Sequence, residues 1–254
     1  MLPASIRRAV IVLATATLPL AAQTKGVTHG TRPARLVIRG ATIIDGNGTP
    51  ARGPVDIVLE GNRITQIVPL DPVALRRGDA RRPTGDVQID AAGKYVLPGL
   101  INAHTHMQSN RSGESLGGFD YYMKLQLANG ITTVREVGAE SNKGSIELRE
   151  KSARGEIVAP RILVYPQFAA EEGRNVKTPA DARAHIQRLK QLGADGVKFG
   201  GIDRDLMEAA YDEAHKLGLP TAHHIGVEET NAWDEVAFGG RSIEHWYGVA
   251  GAAI

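Results

Sequence analysis

The chain has 254 residues and 42% hydrophobic content, enough to bury the core of one large domain, or of one large and one small domain. It has no cysteine, which excludes disulfides, thiolate metal sites and cysteine nucleophiles, so any metal must be held by nitrogen and oxygen. The formal charge of +2 is modest, and it gives no electrostatic reason to expect nucleic acid or an anionic membrane as partner.

The chain opens "MLPASIRRAVIVLATATLPLAAQ". Arg7 and Arg8 precede an apolar stretch at 9–20, and Ala21 and Ala22 follow, the three-part pattern of a secretory signal peptide over residues 1–22. The apolar stretch is shorter than the roughly 20 residues that span a bilayer. Cleavage before Gln23 would export the protein to the periplasm or the medium, with no stable membrane insertion afterwards. An uncleaved anchor is the alternative. Residues 23–33 read as a polar linker.

Residues 34–95 read as a small antiparallel β domain. The runs "RLVIRGATIID", "DIVLEGNRITQIV" and "DVQIDAAGKYV" are β-rich and punctuated by Gly, Asn and Asp. The stretch "EGNR" at 60–63 marks a hairpin turn. The basic run "RRGDARRP" at 76–83 reads as a solvated loop.

From Val96 to residue 254 short apolar strands alternate with amphipathic segments. The strands are expected at 100–106, 131–137, 161–166, 196–199, 220–224 and 242–245. Helices are expected at 118–128, 143–154 and 229–237, with two further helices between them. The first of these two begins at Thr178 as N-cap with Pro179 at the first helical position, buries Ala182, Ile186 and Leu189, and ends at Gly193. The second places Leu206, Ala210, Ala214 and Leu217 on one face and stops at Gly218. Repeated strand–helix units argue a parallel α/β architecture. The glycine-rich signature of a dinucleotide fold is missing after the first strand, which favours a (β/α)8 barrel of TIM type over an open sheet.

Catalytic residues of such barrels lie at the C-terminal ends of the strands. His104 and His106 end the first strand and, one residue apart, share a face. Lys198 sits in the fourth, "GADGVKFGG"; His223 and His224 end the fifth, "PTAHHIG"; His245 ends the sixth, "SIEHW". Alternation allows only one of His223 and His224 to point inward and does not decide which. Singly each residue has a bland explanation, such as a snorkelling lysine or a core histidine. Together at one rim they point to a metal site.

In this order "VLPGLINAHTH", "GITTVREVG", "GADGVKFGG", "PTAHHIG" and "SIEHW" resemble the metal-dependent amidohydrolase superfamily, nearest in kind to its exported imidazolonepropionases and Xaa-Pro dipeptidases. The resemblance implies metal ligation by His104, His106, Lys198, His223 and His245. His223 is taken over His224 because it follows the small Ala222, as in the family. It implies one or two divalent ions, zinc by expectation, and a CO2-derived carbamate on Lys198. It implies hydrolysis of an amide, cyclic amide or dipeptide by a metal-activated water. A small β-sandwich would take its first half from residues 34–95.

One departure follows. The family uses an aspartate at the end of an eighth strand as proton acceptor, and only six strands can be read here. Residues 96–254 are too few for a barrel of about 250 residues, so an incomplete barrel with two raw edges and an unstable, weakly active chain is the expectation. Glu136 and Glu244 are the nearby carboxylates. By alternation Glu244 should face away if His245 faces in. The alternatives are a non-catalytic metal-binding remnant or fragment of such an enzyme, and an ordinary α/β sugar- or nucleotide-binding protein. The partner expected is a small amide or peptide-like substrate, with self-association left open. The loop at 166–175 is a candidate pocket wall, with Arg174 a candidate carboxylate anchor.

Overall fold

The structure, a computed structural model, describes residues 32–78, 81–107, 118–138, 142–168, 176–226 and 230–253. The expected signal peptide, nearly all of the linker and Arg174 lie outside these residues.

The N-terminal unit is one five-stranded sheet: β1 (Arg35–Ile43), β2 (Arg52–Glu60), β3 (Arg63–Pro69), β4 (Val87–Asp90) and β5 (Tyr95–Val96). The hairpin falls where "EGNR" places it, with Glu60 paired to Arg63 and Gly61 at φ 58°. The expected all-antiparallel sheet is corrected. β2 runs antiparallel to β1, but β4 and β5 both run parallel to it. Parallel neighbours need a crossover, and the connection after β3 supplies one through α1 (Pro72–Arg77).

That helix begins at Asp71, whose side chain accepts from the Val73 N–H, and closes on Gly78 at φ 78°. The basic run expected as a loop therefore divides. Arg76 and Arg77 finish α1, where they complement the helix dipole. Arg82 reaches into the sheet and forks onto fully buried Asp56, at 2.9 Å from Nε and 2.6 Å from Nη2.

The second unit alternates strand and helix. Its strands are β6 (Leu100–Thr105), β7 (Ile131–Glu136), β8 (Arg161–Val164), β9 (Val197–Phe199), β10 (Thr221–His223) and β11 (Ser242–Ile243). Its helices are α2 (Gly118–Ala128), α3 (Asn142–Arg154), α4 (Pro179–Leu192), α5 (Arg204–Lys216), α6 (Ala232–Ala237) and α7 (Val249–Ala252). The strands form two parallel sheets, β6-β7-β8 and β9-β10-β11. A parallel bridge between Gln167 and Lys198 joins them, with the Lys198 N–H donating to Pro166 O at 2.9 Å. The six strands thus follow one another in chain order. This is an α/β fold with the first six units of a (β/α)8 barrel.

Local sequence explains the helices. α4 carries a full capping box between Thr178 and Asp181, Pro179 in its first turn and Gly193 at φ 96° as its stop. α5 buries Leu206, Ala210 and Ala214, as its spacing indicates, and also Met207, Ala209 and Tyr211. Its buried face is wider than one stripe because it packs on α4 as well as on the sheet. Two larger apolar clusters fill most of the unit, beside a small third one of Val137, Tyr165 and Ala222. One centres on Phe199, Ile186, Met207 and Tyr211, the other on Met123, Val134, Ile162 and Val164.

Candidate active site

A cavity of about 510 Å³ opens at the C-terminal ends of the strands, lined among others by His104, His106, Lys198, His224 and His245. Strand periodicity builds its first wall. Thr105 points away, buried, with its hydroxyl 3.0 Å from the Tyr122 hydroxyl of α2. His104 and His106, on either side of it, point into the cavity, and their Nε2 atoms stand 3.1 Å apart.

Two buried glutamates stand behind this pair. Glu136, at the end of β7 and fully buried, accepts from the backbone N–H of Met107 and from that of Gly138 at 2.8 Å. Burial pushes its carboxyl up to about 7, although both N–H groups favour the charged form. Gly138 is sterically required: a Cβ there would sit 2.3 Å from His106 Nδ1.

Glu244 binds His104 directly, Oε2 to Nδ1 at 2.5 Å. Its other oxygen accepts from Arg135 and, at 2.8 Å, from the Ser242 hydroxyl. Burial would raise its carboxyl. The bonds from His104 and Ser242 and the Arg135 charge outweigh that and hold it below the usual range.

The alternation expected for Glu244 and His245 does not hold. His245 has φ 68°, so the chain turns after Glu244 and both side chains approach His104. The His245 and His104 rings lie 4.7 Å apart. A positive φ in a residue other than glycine is invisible to a period-two reading.

Lys198 is 4% exposed, and its Nζ has no hydrogen-bond partner among the described residues. Burial lowers its pKa to about 8, against the pull of Glu244 and with the repulsion of Arg135.

His223 is not brought to the cavity. It is fully buried, with Nδ1 2.6 Å from Glu235 Oε1 and Nε2 2.8 Å from Gly200 O. Tyr211 donates its hydroxyl to the same Glu235 oxygen at 2.6 Å. His224 takes the cavity position instead, its ring 4.5 Å from that of His245 and stacked on Tyr247. The Glu235 carboxylate on α6 and the α5 tyrosine make the choice, and neither is visible in "PTAHHIG".

The donor set suits a divalent ion. Burial first, and then repulsion from neighbouring imidazoles and Lys198, lower the pKa values of His224 and His245, which keeps imidazole lone pairs available. The pair His104–His106 and the orphaned Lys198 amine point the same way. Among the described residues no three His, Asp or Glu side chains already surround one point. The geometry is that of a two-imidazole clamp with further donors at its margin.

Six parallel strands carrying a nitrogen-rich cavity at their C-terminal ends define a (β/α)-barrel with its site at the rim. The chain belongs to the amidohydrolase family, whose sequence model matches residues 95–253, and that is a family of enzymes. It is 26% identical over 210 residues to an adenine deaminase of Listeria innocua, covering 75% of this chain and 35% of that protein. It is 28% identical over 199 residues to an allantoinase of Escherichia coli, covering 72% of this chain and 38% of that one. Among solved structures, a prolidase-like protein of Bifidobacterium longum superposes with a TM-score of 0.66 at 27% identity, over 84% of this chain and 55% of that one. The chain thus spans well under half the length of these two curated relatives.

Proposed function

We propose that this protein is a metal-dependent hydrolase of carbon–nitrogen bonds in small amides, cyclic amides or dipeptides. The approach of His104 Nε2 and His106 Nε2 to 3.1 Å inside the cavity carries the reading. Two imidazole nitrogens so close repel unless a proton or a cation lies between them. His104, His106 and His245 would hold the ion, with His224, the residue after β10, beside them at the cavity wall. A bound divalent ion, zinc by preference for nitrogen donors, would supply an acidified water and a Lewis acid for the scissile carbonyl.

Lys198 would join as a carbamate. Its amine attacks CO2, an N–C bond forms, one proton leaves to solvent, and the anionic product offers two oxygens. Burial, which favours the neutral amine, supports that step. The names of the relatives range from a deaminase acting on adenine to an allantoinase, so the substrate within this class is left to assay. Export is proposed from Arg7, Arg8 and the apolar run after them. A mature N-terminus near Gln23 is expected, and retention of Met1 would contradict it.

A second reading, metal binding without turnover, has one observation in its favour. Among the described residues neither carboxylate beside the His104–His106 pair is free to move a proton: Glu136 is committed to backbone N–H groups and Glu244 to His104, Arg135 and Ser242. Elemental analysis and assay of one preparation separate the readings. Bound zinc with hydrolysis of N-acyl amino acids, dipeptides or cyclic amides supports the first. Bound zinc with no turnover on the panel supports the second. Absence of metal from protein prepared with zinc and bicarbonate removes both.

A further inference from the structure

His104 is held by a residue 140 positions away. Glu244, on the far side of the six-strand run, reaches across the interior to its Nδ1. Glu244 has little freedom to do otherwise. Its Oε1 is occupied by two donors, the Arg135 guanidinium and the Ser242 hydroxyl. Arg135 is fixed in turn by Ser242 Oγ at 3.0 Å and by the carbonyl of Ala103 at 2.6 Å, the residue just before His104. Only Oε2 remains, and it faces His104 Nδ1 at 2.5 Å.

A carboxylate oxygen can only accept. We infer that Glu244 is a positioning residue that fixes the tautomer of His104, placing the proton on Nδ1 and leaving the Nε2 lone pair in the cavity. Arg135 and Ser242 lock the carboxylate so that this acceptor cannot rotate away. The inference rests on the metal-site reading for its purpose but not for its test, because a tautomer can be read with no metal present. Carboxylate partners of this kind orient ligating imidazoles, and losing one typically weakens metal binding ~10- to 100-fold.

The substitution Glu244→Gln separates acceptance from shape. The amide oxygen should stay with the donors Arg135 and Ser242, which turns the NH2 toward Nδ1. Nδ1 must then accept, and the proton moves to Nε2. Ser242→Ala is the graded variant: it removes one of the two donors to Oε1 and one partner of Arg135, and it keeps a carboxylate, which can only accept, facing Nδ1.

The experiment is long-range 1H–15N correlation NMR of the metal-free full chain at about pH 8, where an ordinary imidazole is neutral. His104 is assigned by its disappearance in His104→Gln. Expected are Nδ1–H in the wild type and in S242A, and Nε2–H in E244Q. Nε2–H in the wild type, or an unchanged tautomer in folded E244Q, overturns the inference. If E244Q fails to fold, the wild-type and S242A spectra decide alone.

Zinc affinity, measured by competition with a chromophoric chelator, is the second arm. E244Q should bind ~10- to 100-fold more weakly than wild type, and S242A should lose less than E244Q, because its carboxylate remains. Tautomer inversion with unchanged zinc affinity would leave the assignment of Glu244 standing and remove His104 from the metal-site reading.

Discussion

Single side chains in this molecule act through what stands behind them. His106 has room for its ring only because residue 138 is glycine. Gly138→Ala should therefore displace the imidazole, lowering zinc affinity tenfold or more while the fold persists; near-UV and far-UV circular dichroism with the chelator titration would check both parts. Glu136 yields a prediction in pH. Its folded pKa of about 7 lies above the ordinary 4.5, so the folded state binds the extra proton between these values. The sign is then fixed: stability relative to Glu136→Gln is greatest at acid pH and falls as pH rises from about 4.5 to 7, by up to about 3 kcal/mol. Urea denaturation of metal-free wild type and E136Q at a series of pH values measures this; a difference that grows with pH in favour of the wild type would contradict the burial argument. The role of Glu136 was half legible. Its place at a strand end could be read, but not its commitment to the N–H groups of Met107 and Gly138, which needs the loops after β6 and β7 to meet.

At the scale of the element, local chemistry dominates and the sequence is a good guide. α4 has its N-cap, capping box, proline and terminal glycine written in the one stretch from Thr178 to Gly193, and each acts as its residue type requires. Thr178→Ala removes the side-chain acceptor for the Asp181 N–H and should cost about 1 kcal/mol, seen as a few degrees in melting temperature. Restoration by Thr178→Ser would confirm that the hydroxyl is responsible. β10 shows the opposite case. It has three residues, Thr221, Ala222 and His223, all buried, and two histidines compete for one inward direction at its end. Strand period alone treats them as equivalent. Glu235 and Tyr211 break the tie, and they arrive from helices that the strand does not encode.

At the scale of the whole molecule, the two outer strands and their surroundings carry exposed apolar groups. Leu100 and Ile101 on β6 are 61% and 69% exposed, and Trp246 and Val236 near β11 are 73% and 72% exposed. Among the described residues, β6 and β11 each pair on one side only, and unpaired parallel edges with apolar flanks favour association. Sedimentation velocity should show self-association rising through the micromolar range, reduced by Trp246→Ser; a monomer throughout would contradict it. The strand–helix alternation, the helix caps, the hairpin at 60–63 and the shared face of His104 and His106 were all determined by the sequence, because each is set by interactions within a few residues. The tertiary structure alone decided that β4 runs parallel to β1, that Arg82 pairs with Asp56, that His224 lines the cavity while His223 is buried, and that Glu244 turns in to hold His104. Each of these depends on groups tens of residues apart, or on one positive φ at His245, and a local periodicity carries no information about either.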